Sequence, residues 1–254
     1  MIGVPYRAAL VTGAGRRIGR SIALELAANS IAVGVHYSTS EAAAHSVVAE
    51  IEASGGTACA VKADLCSERH TQELISKTAD LLGAPIDVLV NNASIYEEDT
   101  LRTFTSSSWD RHQKVNLFAP LMLMQCLAAD LPKKSQGVIV NMIDQRVLKL
   151  NPQFVSYTTT KAALWAATKT AAQALAPNIR VNAIGPGPTL ANSQQTDQDF
   201  VNEVKAVLLG KGATPEEIAK AVYFILEAPA MTGQMIALDG GQHLAWHTAD
   251  IAKD

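Results

Sequence analysis

The fold is decided by the stretch Arg7–Ser30, which reads RAALVTGAGRRIGRSIALELAANS. A short apolar run ends at Thr12, glycines follow at once, and the residues from Ile18 onward are apolar at helical spacing. These three parts predict a strand, a tight turn and a helix in succession. The next run, Ile31–Tyr37, is apolar at nearly every position, which is typical of a parallel strand covered on both faces.

The alternation of strands and helices continues along the rest of the chain. We predict further strands at Thr57–Lys62, Ile86–Asn91, Gly137–Met142, Ile179–Ile184 and Met235–Leu238. We predict helices at Glu41–Ser54, Ser67–Leu82, Trp109–Leu131, Val155–Ala176 and Pro215–Ala228. Pro120 marks a position where the third of these helices would kink. The pattern predicts a single α/β domain over residues 1–254, a doubly wound parallel sheet of the Rossmann type with helices on both faces.

Two predicted loops, Ile95–Ser108 and Gly185–Gln198, are longer than a compact domain needs. Both follow the carboxyl ends of predicted strands, the edge at which open α/β sheets bind ligands. We therefore expect the functional site there.

Composition argues against several classes of function. The net charge is −3 and there is no run of like charges, so neither nucleic acid nor an anionic membrane is the expected partner. The three cysteines are widely spaced and predict neither a disulfide framework nor a zinc site. His243 and His247 have no further ligands near them, so no metal site is predicted. We expect a cytoplasmic protein, because the N-terminus does not read as a signal peptide and the most apolar run is too short to cross a bilayer.

The stretch Asn141–Lys161, NMIDQRVLKLNPQFVSYTTTK, contains an acid, a phenol and an ammonium group that could take part in proton transfer. Tyr157 and Lys161 lie four residues apart in a predicted helix, so both side chains should leave one face. A Lys ammonium beside a phenol favours the phenolate, so we expect the pKa of Tyr157 to be lowered from the usual value of about 10. Tyr157 could then exchange protons near neutral pH. Taken alone, the pair is better read as an ordinary exposed helix pair, and only other motifs can favour the catalytic interpretation.

The turn Thr12–Gly19, TGAGRRIG, has the glycines of a dinucleotide-binding loop. Gly13 and Gly15 permit a tight turn and close approach of a pyrophosphate, and Gly19 lets the helix pack closely on its strand. The helix N-terminus offers N–H groups and its dipole to the anion. A plain turn is the alternative, but the position between a strand and a helix favours nucleotide binding.

The choice of nucleotide depends on the end of the second strand. An NAD site usually has an acidic residue there, which would repel a 2′-phosphate, and this chain has none. Hydroxyls, an imidazole and a guanidinium suit a phosphate instead, so we predict NADPH. The residues concerned are Arg16, Arg17, His36, Tyr37, Ser38, Thr39 and Ser40. The hydroxyls could also cap the helix that begins near Glu41.

The motifs TGAGRRIG, KADL, NNAS, KVN, YTTTK and PGP, in this order, resemble those of the short-chain dehydrogenase/reductase family over almost the whole chain. The resemblance implies hydride transfer from a nicotinamide, with Tyr157 as proton donor. Lys161 would bind the nicotinamide ribose and lower the pKa of Tyr157, and Asn116 would hold a proton-relay water. Further cofactor contacts are implied for Ile18, Asp64, Leu65, Asn91, Asn92, Ala93, Ser94, Met142, Pro186, Gly187 and Thr189.

Two positions depart from the general pattern of that family. Arg17 stands where the glycine loop usually has Gly, and Asp144 stands where a Ser usually precedes the Tyr by about thirteen residues. Both changes, together with the HY and NNAS motifs, resemble the pteridine reductases and the bacterial dihydromonapterin reductases. An inactive enzyme is the alternative, which the retained Asn116, Tyr157 and Lys161 oppose.

The chemistry of a pterin fits these departures. Asp144 could pair with ring N–H donors, or give a proton if burial raises its pKa. Arg17 could contact a cofactor phosphate and the pterin oxo group together. The resemblance places an aromatic residue at Tyr96, which would stack on the pterin, and Ser94 beside the substrate. Tyr96 could equally be a loop residue that covers the mouth of the cleft.

We therefore predict NADPH-dependent reduction of a pterin, dihydropterin or dihydrofolate. One alternative is a carbonyl reductase, for example of 3-oxoacyl thioesters, and another is an NADPH-binding sensor without catalysis. The resemblance also implies a homotetramer in which the tail from Gln242 onward can reach a neighbouring subunit.

Overall fold

The computed structural model describes residues 6–191 and 195–246. One parallel sheet of seven strands runs in the order β3-β2-β1-β4-β5-β6-β7. The strands are β1 Ala8–Val11, β2 Ala32–Tyr37, β3 Ala58–Lys62, β4 Val88–Asn91, β5 Gly137–Met142, β6 Ile179–Pro186 and β7 Met235–Leu238. Strand order reverses between β1 and β4, which opens a crevice at their carboxyl ends. The predicted doubly wound sheet is confirmed.

Helices cover both faces of the sheet. They are α1 Arg17–Ala28, α2 Glu41–Ala53, α3 Glu68–Leu82, α4 Ser106–His112, α5 Ala119–Asp130, α6 Val155–Leu175, α7 Asp197–Lys205 and α8 Pro215–Glu227. Short 3-10 helices span Gln145–Val147 and Gln242–Leu244. Side chains of β1 alternate between the two cores: Ala9 and Val11 pack with α1, α2 and α8, whereas Ala8 and Leu10 pack with α3, α5 and α6.

The helix predicted at Trp109–Leu131 is present, but it begins earlier, at Ser106, and it is not one regular α-helix. The chain forms α4, then a π-helix at Gln113–Phe118, then α5. Pro120 lies in the first turn of α5 and has no N–H to donate to the carbonyl of Asn116, four residues earlier. The irregularity therefore precedes the proline, within the π-helix, where a wider hydrogen-bond pattern is formed.

Helix α7 is not among the predicted helices, because its first residues fall in the predicted loop Gly185–Gln198. Residues 192–194 of that loop lie outside the described part of the chain. The helix begins with a capping box in which Thr196 and Asp199 bond reciprocally. Among residues 6–191 and 195–246, none of the helices is long and apolar enough to cross a membrane. The same residues contain no group of three or more His, Cys, Asp or Glu side chains placed to hold a metal. His247 is outside them.

Candidate active site

A cleft of about 880 Å³ opens at the carboxyl edge of the sheet, where the strand order reverses. The turn after β1, the segment after β2, the loops after β4, β5 and β6, and helices α6 and α7 form its walls. The predicted site residues that line it are Gly13, Gly15, Arg16, Arg17, Ile18, Gly19, His36, Tyr37, Ser38, Thr39, Ser40, Asp64, Leu65, Asn92, Ala93, Ser94, Tyr96, Met142, Asp144, Tyr157, Lys161, Pro186, Gly187 and Thr189.

The turn after β1 is held by the loop after β4. Gly13 has a φ of +65°, and a Cβ on Gly19 would collide with the carbonyl oxygen of Gly13 and the amide of Asn92. Asn92 Nδ2 donates to the carbonyl oxygen of Thr12 at 2.8 Å. The Oγ1 of Thr12 accepts the N–H groups of Asn92 and Ala93, each at 2.9 Å. The turn is therefore rigid at the point where α1 begins.

Arg17 has a left-handed backbone, with φ +54°. For a residue other than glycine this conformation costs about 1 kcal/mol or more, which the surrounding contacts must offset. Its guanidinium crosses the cleft and donates to the carbonyl oxygens of Ala191 at 2.8 Å and Leu190 at 3.1 Å. The structure thus uses Arg17 to join the glycine turn to the loop after β6. Contact of Arg17 with a phosphate and a substrate stays a prediction.

His36 does not act as the predicted phosphate ligand. Its Nδ1 accepts the N–H of Gly13 at 3.0 Å, so Nε2 carries the proton and donates to the carbonyl oxygen of Ala63 at 3.2 Å. The ring is buried, and burial lowers its pKa from 6.5 to about 4. A neutral imidazole with both nitrogens bonded has no proton left for a phosphate, so His36 supports the glycine turn instead.

The buried His36 predicts a loss of stability in acid. Because folding lowers its pKa to about 4, the stability it contributes is complete above pH 6.5 and is lost as the pH falls toward 4. The expected loss is roughly 3 kcal/mol in the free energy of unfolding. Urea unfolding across this range should show a flatter pH dependence in His36→Asn than in the wild type. The exposed His45 provides the control, and His45→Asn should keep the wild-type slope; equal slopes in all three proteins would contradict the prediction.

The end of β2 retains the features predicted for a 2′-phosphate site. Ser38, Thr39 and Ser40 line the cleft together with the exposed Arg16. Ser40 is the N-cap residue of α2, yet its side chain makes no capping hydrogen bond. The alternative that this hydroxyl serves only to cap the helix is therefore not observed, and the hydroxyl is available to a ligand.

Asn91 does not line the cleft, contrary to its predicted contact with the cofactor. It is the last residue of β4, and its side chain is buried between β4 and β5. Its Nδ2 donates to Oδ1 of Asn141 at 2.8 Å, and Nδ2 of Asn141 donates to Thr168 Oγ1 at 2.9 Å. The Asn91 side chain thus joins the sheet to α6.

Tyr157, Lys161 and Asp144 meet at the floor of the cleft. The phenolic O–H of Tyr157 donates to Oδ2 of Asp144 at 2.9 Å. Oδ1 of Asp144 accepts the N–H of Arg146 at 2.8 Å, which fixes the carboxylate just after β5. The Nζ of Lys161 donates to the carbonyl oxygen of Met142 at 2.8 Å and lies 5.5 Å from the centroid of the Tyr157 ring. The predicted common face of Tyr157 and Lys161 is present.

The prediction that Lys161 lowers the pKa of Tyr157 is wrong for this arrangement. Burial and the nearby Asp144 carboxylate raise the pKa of Tyr157 well above its ordinary value. Burial also raises the pKa of Asp144, and it lowers the pKa of Lys161 to about 8. The carboxylate accepts the phenolic hydrogen bond directly, whereas the ammonium lies farther away, so Tyr157 is held as a protonated phenol.

Asn116 lies in the π-helix and is fully buried, so it does not line the cleft. Its Oδ1 accepts the N–H of Ile95 at 2.7 Å and the hydroxyl of Ser94 at 3.2 Å. Its Nδ2 donates to the carbonyl oxygen of Ile95 at 2.8 Å and to Thr160 Oγ1 at 3.3 Å. Asn116 therefore ties the loop after β4 to α6, and its role at a relay water stays a prediction.

Tyr96 belongs to an aromatic group that the sequence did not reveal. Its ring stacks on Phe154 with centroids 4.3 Å apart and meets the edge of Tyr157 at 4.7 Å. The Nη2 of Arg146 donates to the Tyr96 hydroxyl at 3.1 Å. Val115 of the KVN motif and Pro188 of the PGP motif also line the cleft. Other cleft residues, which belong to no motif quoted above, are Cys66, Ile95, Ile143, Gln145, Leu190, Gln195, Phe200, Glu203 and Gln242.

The loop that carries Tyr96 is anchored on its C-terminal side by two carboxylates. Glu97 accepts two hydrogen bonds from Nη2 of Arg111, at 2.6 and 2.8 Å, in a salt bridge. Asp99 is buried and accepts the N–H and the hydroxyl of Ser156 at the start of α6. These contacts place Tyr96 next to α6, which carries Tyr157 and Lys161.

A glycine turn at the switch point of a doubly wound sheet, facing a Tyr–Lys–Asp cluster, defines a nicotinamide-dependent oxidoreductase of the Rossmann class. Residues 7–202 match the model of the short chain dehydrogenase family, and the chain belongs to this family.

The chain resembles two solved structures of FolM alternative dihydrofolate reductase 1. The protein from Brucella suis, in complex with NADP, is 46% identical with a TM-score of 0.94 over 97% of this chain and 98% of that one. The protein from Brucella canis, also with NADP, is 46% identical with a TM-score of 0.95 over 98% and 99%. A 3-oxoacyl-[acyl-carrier-protein] reductase of Synechocystis sp. is 35% identical over 245 residues, 95% of this chain and 98% of that protein.

The chain is therefore an NADP-dependent short-chain oxidoreductase, and the alternative of a non-catalytic sensor is set aside. The residues present fit this cofactor. The glycine turn leaves no room for a Cβ at Gly19 and carries Arg16 at the start of α1. The end of β2 presents hydroxyls, with no acidic residue between Ser38 and Ser40.

Proposed function

We propose that this enzyme reduces a pterin-type substrate, a dihydropterin or dihydrofolate, at a C=N bond of the ring. The observation that carries the proposal is the hydrogen bond of 2.9 Å between Tyr157 and Asp144. A pterin presents a flat array of N–H donors and ring nitrogens, which a carboxyl group can pair with or protonate. A ketone needs only a hydroxyl to hold its oxygen. The likeness to the two Brucella proteins supports the same assignment.

In the proposed mechanism, the glycine turn and the end of β2 would hold NADPH, which would supply the hydride. Tyr157 gives its phenolic proton to the nitrogen beside the reduced carbon. The raised pKa of Tyr157 keeps this proton in place until the hydride arrives. The phenolate that forms stands beside the Asp144 carboxyl, and the repulsion favours its reprotonation. Lys161, buried with Nζ near the Tyr157 ring, offsets part of the negative charge.

Tyr96 is the proposed stacking partner of the pterin. One face of its ring lies on Phe154, and Tyr157 contacts the ring in an edge arrangement, so a substrate would stack on the part of Tyr96 that these two side chains leave uncovered. Stacking of this kind contributes about 0.5 to 1.5 kcal/mol beyond burial. The anchored loop means that little ordering of Tyr96 is needed on binding.

Reduction of a 3-oxoacyl thioester is the second candidate, and the Synechocystis protein favours it. The purified enzyme with NADPH should be assayed by loss of cofactor absorbance on adding dihydromonapterin, dihydrobiopterin or dihydrofolate, with acetoacetyl thioester in parallel. We expect turnover of at least one pterin-type substrate at a kcat/KM above that of the thioester. Reduction of the thioester alone would leave the family chemistry intact and refute the pterin site.

We further propose that the enzyme is a cytoplasmic homotetramer. Large apolar side chains are exposed on and before α4 and α5, and they could be covered by a second copy; they are Leu101, Phe104, Phe118 and Leu121. The tail residue Ala245 accepts a hydrogen bond from Lys149 of its own subunit at 2.7 Å. Light scattering coupled to size exclusion should give the mass of four chains.

A further inference from the structure

Arg146 has no role in the mechanism described so far, yet it lines the cleft beside the reacting groups. It follows Asp144 by two residues, within the 3-10 helix Gln145–Val147, and its N–H fixes the Asp144 carboxylate. Its side chain then extends toward the outer rim, where Nη1 donates to Oδ1 of the exposed Asn151 at 2.9 Å. Arg146 thus connects the deepest carboxyl group of the site to the cleft mouth.

The guanidinium of Arg146 holds the aromatic pair described above. Its central carbon lies 4.9 Å from the centroid of Phe154 and 6.0 Å from that of Tyr96. Its Nη2 donates to the hydroxyl of Tyr96 at 3.1 Å. A cation over one ring and a hydrogen bond to the next fix the angle and height of Tyr96 better than stacking alone.

The charges that face Asp144 come from few groups. Tyr157 and Lys161 face Asp144 from α6, and Arg146 faces Asp144 from the same short segment. Tyr96 faces Asp144 from the opposite wall, and Glu203 of α7 lies near Tyr96. Lys161 is buried and already bonded to a main-chain oxygen. Of the two cations that act on Asp144, Arg146 and Lys161, Arg146 is therefore the one that is not buried.

We propose that Arg146 is a positioning residue of the reaction: it holds Tyr96 as the stacking surface for the substrate, and its charge balances Asp144 on the open side of the cleft. The first part rests on the proposed pterin substrate, because it assigns Tyr96 to the substrate ring. The second part holds for any substrate that Tyr157 protonates. In agreement with it, the Arg146 charge opposes the rise that burial causes in the pKa of Asp144.

The test compares Arg146→Met, Arg146→Lys and a control, Arg102→Met, which makes the same change at an exposed arginine. In Arg146→Met we expect KM for the preferred pterin to rise about fivefold to thirtyfold, as for loss of a partly desolvated cation–π contact. The acidic inflection of the kcat–pH profile should also move to higher pH by about half a unit or more, because an opposite charge near Asp144 is lost. Arg102→Met should match the wild type in both respects.

Arg146→Lys separates the effect on KM from the effect on the acidic inflection. It also provides a test of the proposal if Arg146→Met fails to fold. It keeps the charge but loses the planar fork, so KM should rise while the inflection stays within a few tenths of a unit of the wild-type value. An unmoved inflection in Arg146→Met overturns the proposal, and so does an unchanged KM. An inflection that moves as far in Arg146→Lys as in Arg146→Met also overturns it, because charge would then not be the cause. If the wild type reduces only the thioester, the pterin function fails, and the pH profiles taken with the thioester still decide whether the charge acts on Asp144.

Discussion

Replacement of Tyr157 by phenylalanine is expected to lower kcat for the preferred substrate by about 10²- to 10⁴-fold, the usual range for loss of a general acid. The Kd of NADPH should stay within about twofold of the wild-type value, since the ring and its packing remain. The reason is local: the phenol O–H is the only group of Tyr157 that the substitution removes, and that group bonds to Asp144.

Single-turnover measurement of NADPH oxidation and a separate titration of NADPH binding would check this result. Tyr223→Phe is the matched control, because Tyr223 lies on α8 outside the cleft and should retain full activity. Wild-type turnover by Tyr157→Phe would require a different proton donor and would remove the basis of the proposed mechanism.

The second large effect is expected at Asp144. Asp144→Asn keeps the shape of the side chain and an oxygen to accept the N–H of Arg146, but it removes the charge. We expect kcat/KM for the pterin to fall by about 10²-fold, because the site loses its acceptor for ring N–H donors or its proton reservoir. The pKa of Tyr157 should fall, since the Asp144 carboxylate raises it in the wild type, and so the basic limb of the pH profile should move to lower pH.

Asp144→Ser extends this experiment, because it restores the hydroxyl that most of the family carries. It should lose pterin turnover to the same degree while reduction of acetoacetyl thioester stays constant or rises. Asp130→Asn, at the exposed end of α5, is the control for the change of charge. A pterin kcat/KM that survives both substitutions would show that Asp144 does not select the substrate.

The parts of the site that follow from local spacing could be predicted from the sequence. A strand, a glycine turn and a helix are consecutive in the chain, and Tyr157 and Lys161 share a helix face by their separation alone. The presence of Asp144 at the position where the family usually has Ser follows from the resemblance of the motifs. These predictions need only the periodicity of the chain and the resemblance of its motifs.

The parts that depend on tertiary packing could not be predicted. Phe154 and Tyr96 come together only when the loop after β4 meets the start of α6, and no motif marks this contact. The sign of the pKa shift of Tyr157 depends on which charge lies nearer, and the sequence gives no distances. The engagement of both ring nitrogens of His36 depends on main-chain groups of Gly13 and Ala63, which lie far from it in the sequence. The capping box at Thr196 and the N-cap at Thr105 are local signals that the sequence interpretation missed.

The π-helix at Gln113–Phe118 has a consequence for insertions and deletions. Each residue of a regular helix turns the chain by about 100° about the helix axis. The number of residues in this segment therefore sets which side of α5 faces the core when α4 is held in place. Removal of one residue would rotate Leu123 and Leu127 away from the core in which both are buried, or else displace Asn116 from the loop that it holds. Here the length of the segment is constrained as strictly as the identity of any side chain in the cleft.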